Sequence, residues 1–440
     1  MCAEEACIHF SKYITLLKLL DKKLHCEQTM NLLKVARCSN MIDIIFVDDD
    51  PAILSSLKRS SRMMREKWSC DFANGPEKAL EKVSSKNYDL IISDMRMPTM
   101  DGATLLNKIK QISPQTVRFI LSGQSERSSL LRSLNNAHQY LSKPFNFDEL
   151  GVEIERTFEF QNSLNDSSLK NLLTEMDTLP RLSANYDELT EKLNKDDGNI
   201  DEISKIVSQD IGMTAKILQV VNSSYFGGSG KICSPVKAAK ILGLDLIKEM
   251  VFNFHVFKKH EANVDEDILK NIWKESINVG NLSSHLAKEF GMNQDLQETT
   301  QTAGFLQKVG LVILATGFPG QYQEIAARSN NGSETDPDSE LDKFNIDYSI
   351  LGSCLAGLWG LPGSIADAIS FHKFPSRSEN NSLGPLVFVH IAYAMLERYS
   401  LQEDKDWFDC LDYQYLTSVL DLKETKGLIT KGETWITENI

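Results

Sequence analysis

A chain of 440 residues, 42% hydrophobic and 25% charged, carries enough apolar mass for two or three globular cores and too much for one. Its formal charge of −14 argues against a partner that is mainly a nucleic-acid backbone, and no dense Lys/Arg stripe with interleaved aromatics offsets it. No apolar run reaches the roughly 18 residues of a membrane helix. The 8 cysteines include no C-x-x-C pair, so a reduced, cytoplasmic protein without membrane contact is expected.

Residues 1–40 stand apart. Phe10, Ile14, Leu17, Leu20 and Leu24 recur at helical spacing and predict a short amphipathic helix. Met41 directly precedes an apolar run, so the natural product is expected to begin there and 1–40 to be an extension; a docking helix for a partner is the alternative.

From Ile42 short β-branched runs alternate with helical stretches. Strands are predicted at Ile42–Val47, Ser69–Ala73, Leu90–Ser93, Val117–Leu121 and Gln139–Leu141. Helices are predicted at Pro51–Arg65, Pro76–Ser84, Gly102–Ile112, between the last two strands, and at Phe147–Phe160. Five strands each followed by a helix imply right-handed crossovers and a parallel, doubly wound α/β domain over 41–160. Ligands of such sheets sit at the carboxyl ends of the strands.

Residues 161–172 read as a linker, helical or flexible. Over 173–426 every periodic segment is helical, among them Ile200–Gln209, Gly212–Asn222, Ile272–Phe290, Gln301–Ala315 and Tyr348–Trp359. Gly227–Gly230 and Asn330–Ser339 read as loops, and 427–440 as a tail.

Chemistry gathers where the predicted strands end. Asp48 and Asp49 follow IIFV, Asp94 follows LIIS, Ser122 follows RFIL and Lys143 follows QYLS. Each alone is an ordinary turn former. Together they bring three carboxylates, a hydroxyl and an ammonium to one rim. Close carboxylates repel unless a cation neutralises them, and Mg²⁺, which prefers oxygen ligands, suits that need. Such an ion offsets charge on a phosphoryl group while a carboxylate attacks phosphorus.

The motifs VDDDP (47–51), SDMRMPTMDG (93–102), LSG (121–123) and YLSKPF (140–145) resemble the response-regulator receiver domain along its whole length. The resemblance implies a flavodoxin-like sheet with Asp94 as phospho-acceptor. Asp48, Asp49, Asp94 and the backbone carbonyl of Arg96 would hold Mg²⁺, and Lys143 and Ser122 would contact the phosphoryl oxygens. It also implies that Tyr140 is a rotamer-switching aromatic, where a plain half-buried strand tyrosine is the alternative, and that Lys143–Pro144 is cis.

The helical region resembles the HDOD family, an HD-related output domain, through 203–227, 234–252 and 355–375. Asn222, Gly243, Trp359 and Pro362 are expected to determine its fold. Catalytic HD hydrolases hold metal with a histidine, a His-Asp pair and a later aspartate. Glu275, Gln307, Lys308 and Tyr393 stand at those positions here, and a lysine ammonium offers no lone pair. His372 is retained, with His255, His285 and His390 nearby in sequence.

The expectation is a phosphorylation-gated, non-enzymatic response regulator with a sensor histidine kinase upstream and a downstream signalling protein reached by contact. Helical periodicity continuing from 150 to 172 suggests a route to a homodimer. The rivals are a metal-dependent phosphohydrolase or cyclic-dinucleotide phosphodiesterase using His285, His372 and His390, and a transcription regulator. Against the latter, no basic recognition helix follows the first domain, and DWFDC (406–410) is acidic.

Overall fold

A computed structural model describes residues 41–440 apart from 124–130, 162–163, 165, 177, 181–182, 196–198, 224–225, 227–231, 254–264, 328–336 and 402–409. The expected N-terminal helix, the loop at 227–230, His255, most of DWFDC and part of the helix before the last strand lie outside the described residues.

Five strands form one parallel sheet: β1 (Ile42–Asp48), β2 (Trp68–Asn74), β3 (Leu90–Asp94), β4 (Val117–Gly123) and β5 (Gln139–Lys143). Their order is 2-1-3-4-5, the flavodoxin-like arrangement. Ile44–Val47 and Leu90–Ile92 are at most 1% exposed, because helices cover both faces and force a continuous apolar run. α1 (Pro51–Ser61) starts on proline behind the Asp50 cap, whose carboxylate accepts from Ala52 N at 2.7 Å. α2 spans Pro76–Ser85, and α3 (Gly102–Ile112) is capped by Asp101, which accepts from Thr104 N at 2.9 Å. The domain closes with α4 (Phe147–Gln161).

The helical region opens with α5 (Ser167–Glu175), which begins inside the segment read as a linker, followed by α6 (Ser183–Leu193), α7 (Ile200–Ser208) and α8 (Ile211–Val221). α9 (Pro235–Lys248) kinks at Gly243, whose φ of 78° favours a residue without Cβ. A latch precedes it: the Asn222 amide donates to Ile232 O at 2.7 Å and accepts from Ile232 N at 2.6 Å. The core follows in α10 (Glu266–Glu289), α11 (Gln294–Leu306), α12 (Val309–Gly317), α13 (Pro319–Ala326), α14 (Pro337–Phe344), α15 (Tyr348–Leu358), α16 (Gly363–Phe371) and α17 (Pro385–Leu401). α18 (Tyr413–Val419) and α19 (Leu422–Asn439) complete it.

Three sequence-based boundaries need correction. The single helix expected over Gln301–Ala315 is two, broken at Gln307–Lys308, where Lys308 leaves helical geometry at φ −96° and ψ 12°. Apolar residues on both sides hide the break. The loop expected to run to Ser339 gives way to α14 at Pro337. The presumed tail is α19, entered through a capping box between Asp421 and Glu424; its buried Leu428, Ile429 and Ile436 pack it on α10 and α17.

The helical domain docks on the edge of the sheet at β5. Gln139 Nε2 donates to Gly357 O (3.1 Å) and Leu358 O (3.3 Å), and Arg156 on α4 donates to Leu361 O. In the other direction, Gln219 Nε2 on α8 reaches His138 O at 2.9 Å and Lys216 Nζ reaches Leu134 O at 2.7 Å. Arg118 Nη2 on β4 donates to Thr174 O at 2.7 Å. α15 lies along α4.

Candidate functional site

Parallel strands end at one rim, and register decides which residues meet there. Asp94 ends β3 beside Leu121, and Gly123 of β4 pairs with Lys143 of β5. Asp48 ends β1 at 1% exposure, and Asp94 is 8% exposed. The Lys143 ammonium bridges them, 2.8 Å from Asp48 Oδ2 and 2.5 Å from Asp94 Oδ1. The remaining oxygens are also engaged: Asp48 Oδ1 accepts from Asp50 N at 2.9 Å, and Asp94 Oδ2 from Arg96 N at 3.1 Å. Asp49 is exposed at the mouth.

Burial is the largest influence on Asp94 and pushes its carboxyl above the ordinary value; Lys143 opposes the rise and Asp48 adds to it. Burial disfavours the Lys143 charge, yet bonds to Asp48 and Asp94 leave its ammonium above the ordinary lysine value.

The all-oxygen donor set that Asp48 and Asp94 bring to the rim fits a small hard cation such as Mg²⁺. Among the described residues, however, no three of His, Cys, Asp and Glu converge on a metal position. The structure joins Asp48 and Asp94 closely and leaves Asp49 at the periphery.

Ser122 is 6% exposed and donates to Gly123 O at 3.3 Å. Tyr140 is buried at 3%, and its hydroxyl donates to Ser133 O at 2.7 Å, so it faces inward. Lys143–Pro144 is cis. Behind Asp94, a Cβ on Gly102 would lie 2.3 Å from Asp94 O, so only glycine allows α3 to start this close to β3.

In the helical domain, the positions compared with an HD centre hold a different arrangement. Lys308 is 3% exposed with its ammonium 2.5 Å from Glu275 Oε2 on α10. Gln307 is fully buried, and neither of its amide heteroatoms has a hydrogen-bond partner among the described residues. His372 is buried and coupled to Tyr348 at 3.0 Å and Ile369 O at 2.9 Å. Since only Nδ1 can donate to the carbonyl, Nε2 is the acceptor for the Tyr348 hydroxyl. Burial, then Lys373, lowers its pKa to about 3. Tyr393 packs edge-on against its ring at 4.7 Å. His390 bonds His372 O at 2.7 Å and accepts from Asp412 N at 2.9 Å, so both its nitrogens are also used. His285 lies on α10, partly buried.

Sequence reasoning missed the seam residues Arg118, His138, Gln139, Lys216 and Gln219. Arg118, inside RFIL, and Lys216, inside the fully buried α8, were polar interruptions of apolar runs and could have been flagged.

The response regulator receiver domain profile matches residues 44–155, and the HDOD domain profile matches 179–375. The DNA-binding transcriptional regulator NtrC of Escherichia coli (strain K12) is 38% identical over 112 residues, 25% of this chain and 23% of NtrC. The transcriptional regulatory protein ZraR of the same strain is 33% identical over 129 residues, 28% of each chain. The chain thus spans about a quarter of the length of these relatives. Among solved structures, the MmoQ response regulator from Methylococcus capsulatus str. Bath aligns over 57% of this chain and 98% of its own at 16% identity and TM-score 0.43. The signal receiver domain of an HD domain-containing protein from Pseudomonas fluorescens Pf-5 aligns over 28% and 100% at 31% identity and TM-score 0.27. With a receiver domain over 44–155 followed by an HDOD domain over 179–375, this chain belongs to the two-component response regulators.

Proposed function

We propose that Asp94 accepts a phosphoryl group from a sensor histidine kinase and that the HDOD domain reports this by protein contact, without catalysis of its own. The observation that carries the reading is the Asp48–Lys143–Asp94 bridge at the rim of the sheet. An Asp94 carboxylate oxygen would attack phosphorus as the bond to the donor nitrogen breaks, and the imidazole leaves with the electron pair. Lys143 would move from the Asp94 carboxylate to the incoming phosphoryl oxygens. Ser122, bonded weakly to Gly123 O, is free to turn its hydroxyl toward the same oxygens. Mg²⁺ held by Asp48, Asp94, the exposed Asp49 and the Arg96 carbonyl would supply charge neutralisation when bound.

The route outward is short. Tyr140 sits on β5, the strand paired with Ser122's, one residue after Gln139, which bonds the HDOD backbone. A new dianion at Asp94 that draws Ser122 away would change the packing that keeps Tyr140 inward. The non-catalytic reading of the HDOD domain is supported by the lone pairs and charges at the HD-like positions. Lys308 is an ion-pair partner of Glu275, and His372 spends its lone pair on Tyr348.

A small-molecule phosphodonor with Mg²⁺ should label the full chain once, with acid-labile chemistry, and Asp94→Asn should abolish labelling. Undiminished labelling of Asp94→Asn would overturn the assignment. Wild-type protein should leave cyclic dinucleotides intact in the presence of Mn²⁺ or Zn²⁺; stoichiometric turnover would overturn the non-catalytic output.

A further inference from the structure

Among the described residues other than glycine, only Thr99 and Asn345 have a positive φ, 70° and 54°. Asparagine tolerates that region, whereas a β-branched side chain enters it only under constraint. Thr99 lies in the loop that leads from Asp94 to α3. It is the centre of a three-residue turn in which Met100 N donates to Pro98 O at 2.8 Å, and a positive central φ makes this the rarer, strained form.

Such a conformation persists only where its surroundings over-determine it. One constraint is the turn's own hydrogen bond. The other comes from outside the loop: Thr99 Oγ1 donates to Glu77 Oε1 at 2.6 Å. Glu77 stands in the first turn of α2. The Thr99 bond is the largest influence lowering its carboxyl below the ordinary value, so the acceptor is a carboxylate at neutral pH.

The first turn of α2 thereby reaches both acid-bearing loops. Gly75, its N-cap, donates its N–H to Asp48 O at 3.2 Å, and Glu77 holds Thr99 on the Asp94 side. The Asp94 loop is closed at its base, where Gly102 N donates to Met95 O at 2.9 Å. Within it, Arg96 N donates to Asp94 Oδ2 at 3.1 Å, so the position of the loop sets how the carboxylate is turned. Lys143 is 2.5 Å from the other oxygen, Oδ1. Attack on phosphorus requires that carboxylate aligned, and small displacements cost rate steeply.

We propose that Glu77 is a positioning residue for phosphoryl transfer to Asp94: by holding Thr99 it keeps the loop, and with it the Arg96 N–H, set against the Asp94 carboxylate. It acts through Thr99 rather than by contact with the phosphoryl group. This role presupposes Asp94 as the acceptor and adds to that reading a residue from another helix.

The test follows labelling of the full chain by acetyl phosphate at saturating Mg²⁺. Thr99→Val, which keeps the shape and removes the hydroxyl donor, and Glu77→Ala should each slow labelling about fivefold. Glu77→Gln retains an oxygen acceptor and should stay within about twofold of wild type, which a role resting on the Glu77 charge at the start of α2 would not allow. In a Thr99→Gly background the turn carries no strain and no hydroxyl, so adding Glu77→Ala should change the rate by less than about 1.5-fold. Thermal melting establishes that each variant is folded. Wild-type rates in Thr99→Val, a loss in Glu77→Gln equal to that in Glu77→Ala, or the full Glu77→Ala loss repeated in the Thr99→Gly background would each overturn the positioning role while leaving Asp94 as acceptor. Labelling that survives Asp94→Asn would remove the acceptor, and this role with it.

Discussion

Acid should unfold this protein through buried histidines well before its carboxylates titrate. His138 Nδ1 accepts from Arg118 N at 3.0 Å, which leaves the proton on Nε2 facing Thr174 O at 2.9 Å. A second proton would remove that acceptor and add a cation beside Arg118. Burial first and Arg118 second hold its pKa well below the usual histidine range. For His372, burial and then Lys373 depress the value to about 3. Both groups stay neutral when folded, while in the unfolded chain they take up protons near pH 6.5. Stability is therefore complete above the unfolded value and falls as pH drops below it. At one unit below, each group favours unfolding by about 1.4 kcal/mol, about 3 kcal/mol for the two. His390, lowered chiefly by burial, acts in the same direction. Urea denaturation at about pH 7.5 and about pH 5.5 measures the difference. The variant His138→Gln, His372→Gln, which keeps a donor and an acceptor at each position, should lose about 3 kcal/mol of that pH dependence. An undiminished acid sensitivity in the double variant would refute the reasoning.

Two further substitutions test close packing and charge. Gly102→Ala forces a Cβ to within 2.3 Å of Asp94 O, so α3 must retreat; a loss of about 2–4 kcal/mol in denaturant melts and slower phosphodonor labelling are expected. In the HDOD domain, Glu275→Gln leaves the Lys308 ammonium deeply buried without its carboxylate, whereas Lys308→Met leaves Glu275 with a third of its side chain in water. The first should cost about 3 kcal/mol and the second about 1 kcal/mol, an asymmetry that equilibrium denaturation resolves.

The receiver was legible because its signals are local. Strand and helix periods alternate, Asp50-Pro51 and Asp101 mark helix starts, and the chemistry sits at strand ends, so all five strands were found and α3 was bounded correctly. Asp48, Asp94 and Lys143 meet as their spacing implied, yet Asp49 did not announce that it would lie exposed. The HDOD helices were found but not their breaks. A turn at Lys308 set by an ion pair with Glu275, 33 residues earlier, leaves no mark on the apolar pattern around it. α19 went unread because its buried positions, Leu428, Ile429 and Ile436, are separated by lysine, glutamate and threonine. The histidine roles depend on which nitrogen is already bonded, which only three-dimensional neighbours decide.

In the described hydrogen bonds that join the two domains, a peptide carbonyl is the acceptor: Leu134, His138, Thr174, Gly357, Leu358 and Leu361 accept through the main chain. Every amino acid presents that oxygen alike, so residues at these six positions can drift in identity while the recognition persists. The selective burden falls instead on six donors, Arg118, His138, Gln139, Arg156, Lys216 and Gln219. Paired substitutions across the join therefore need not arise, and a search for correlated positions would overlook how these domains recognise one another.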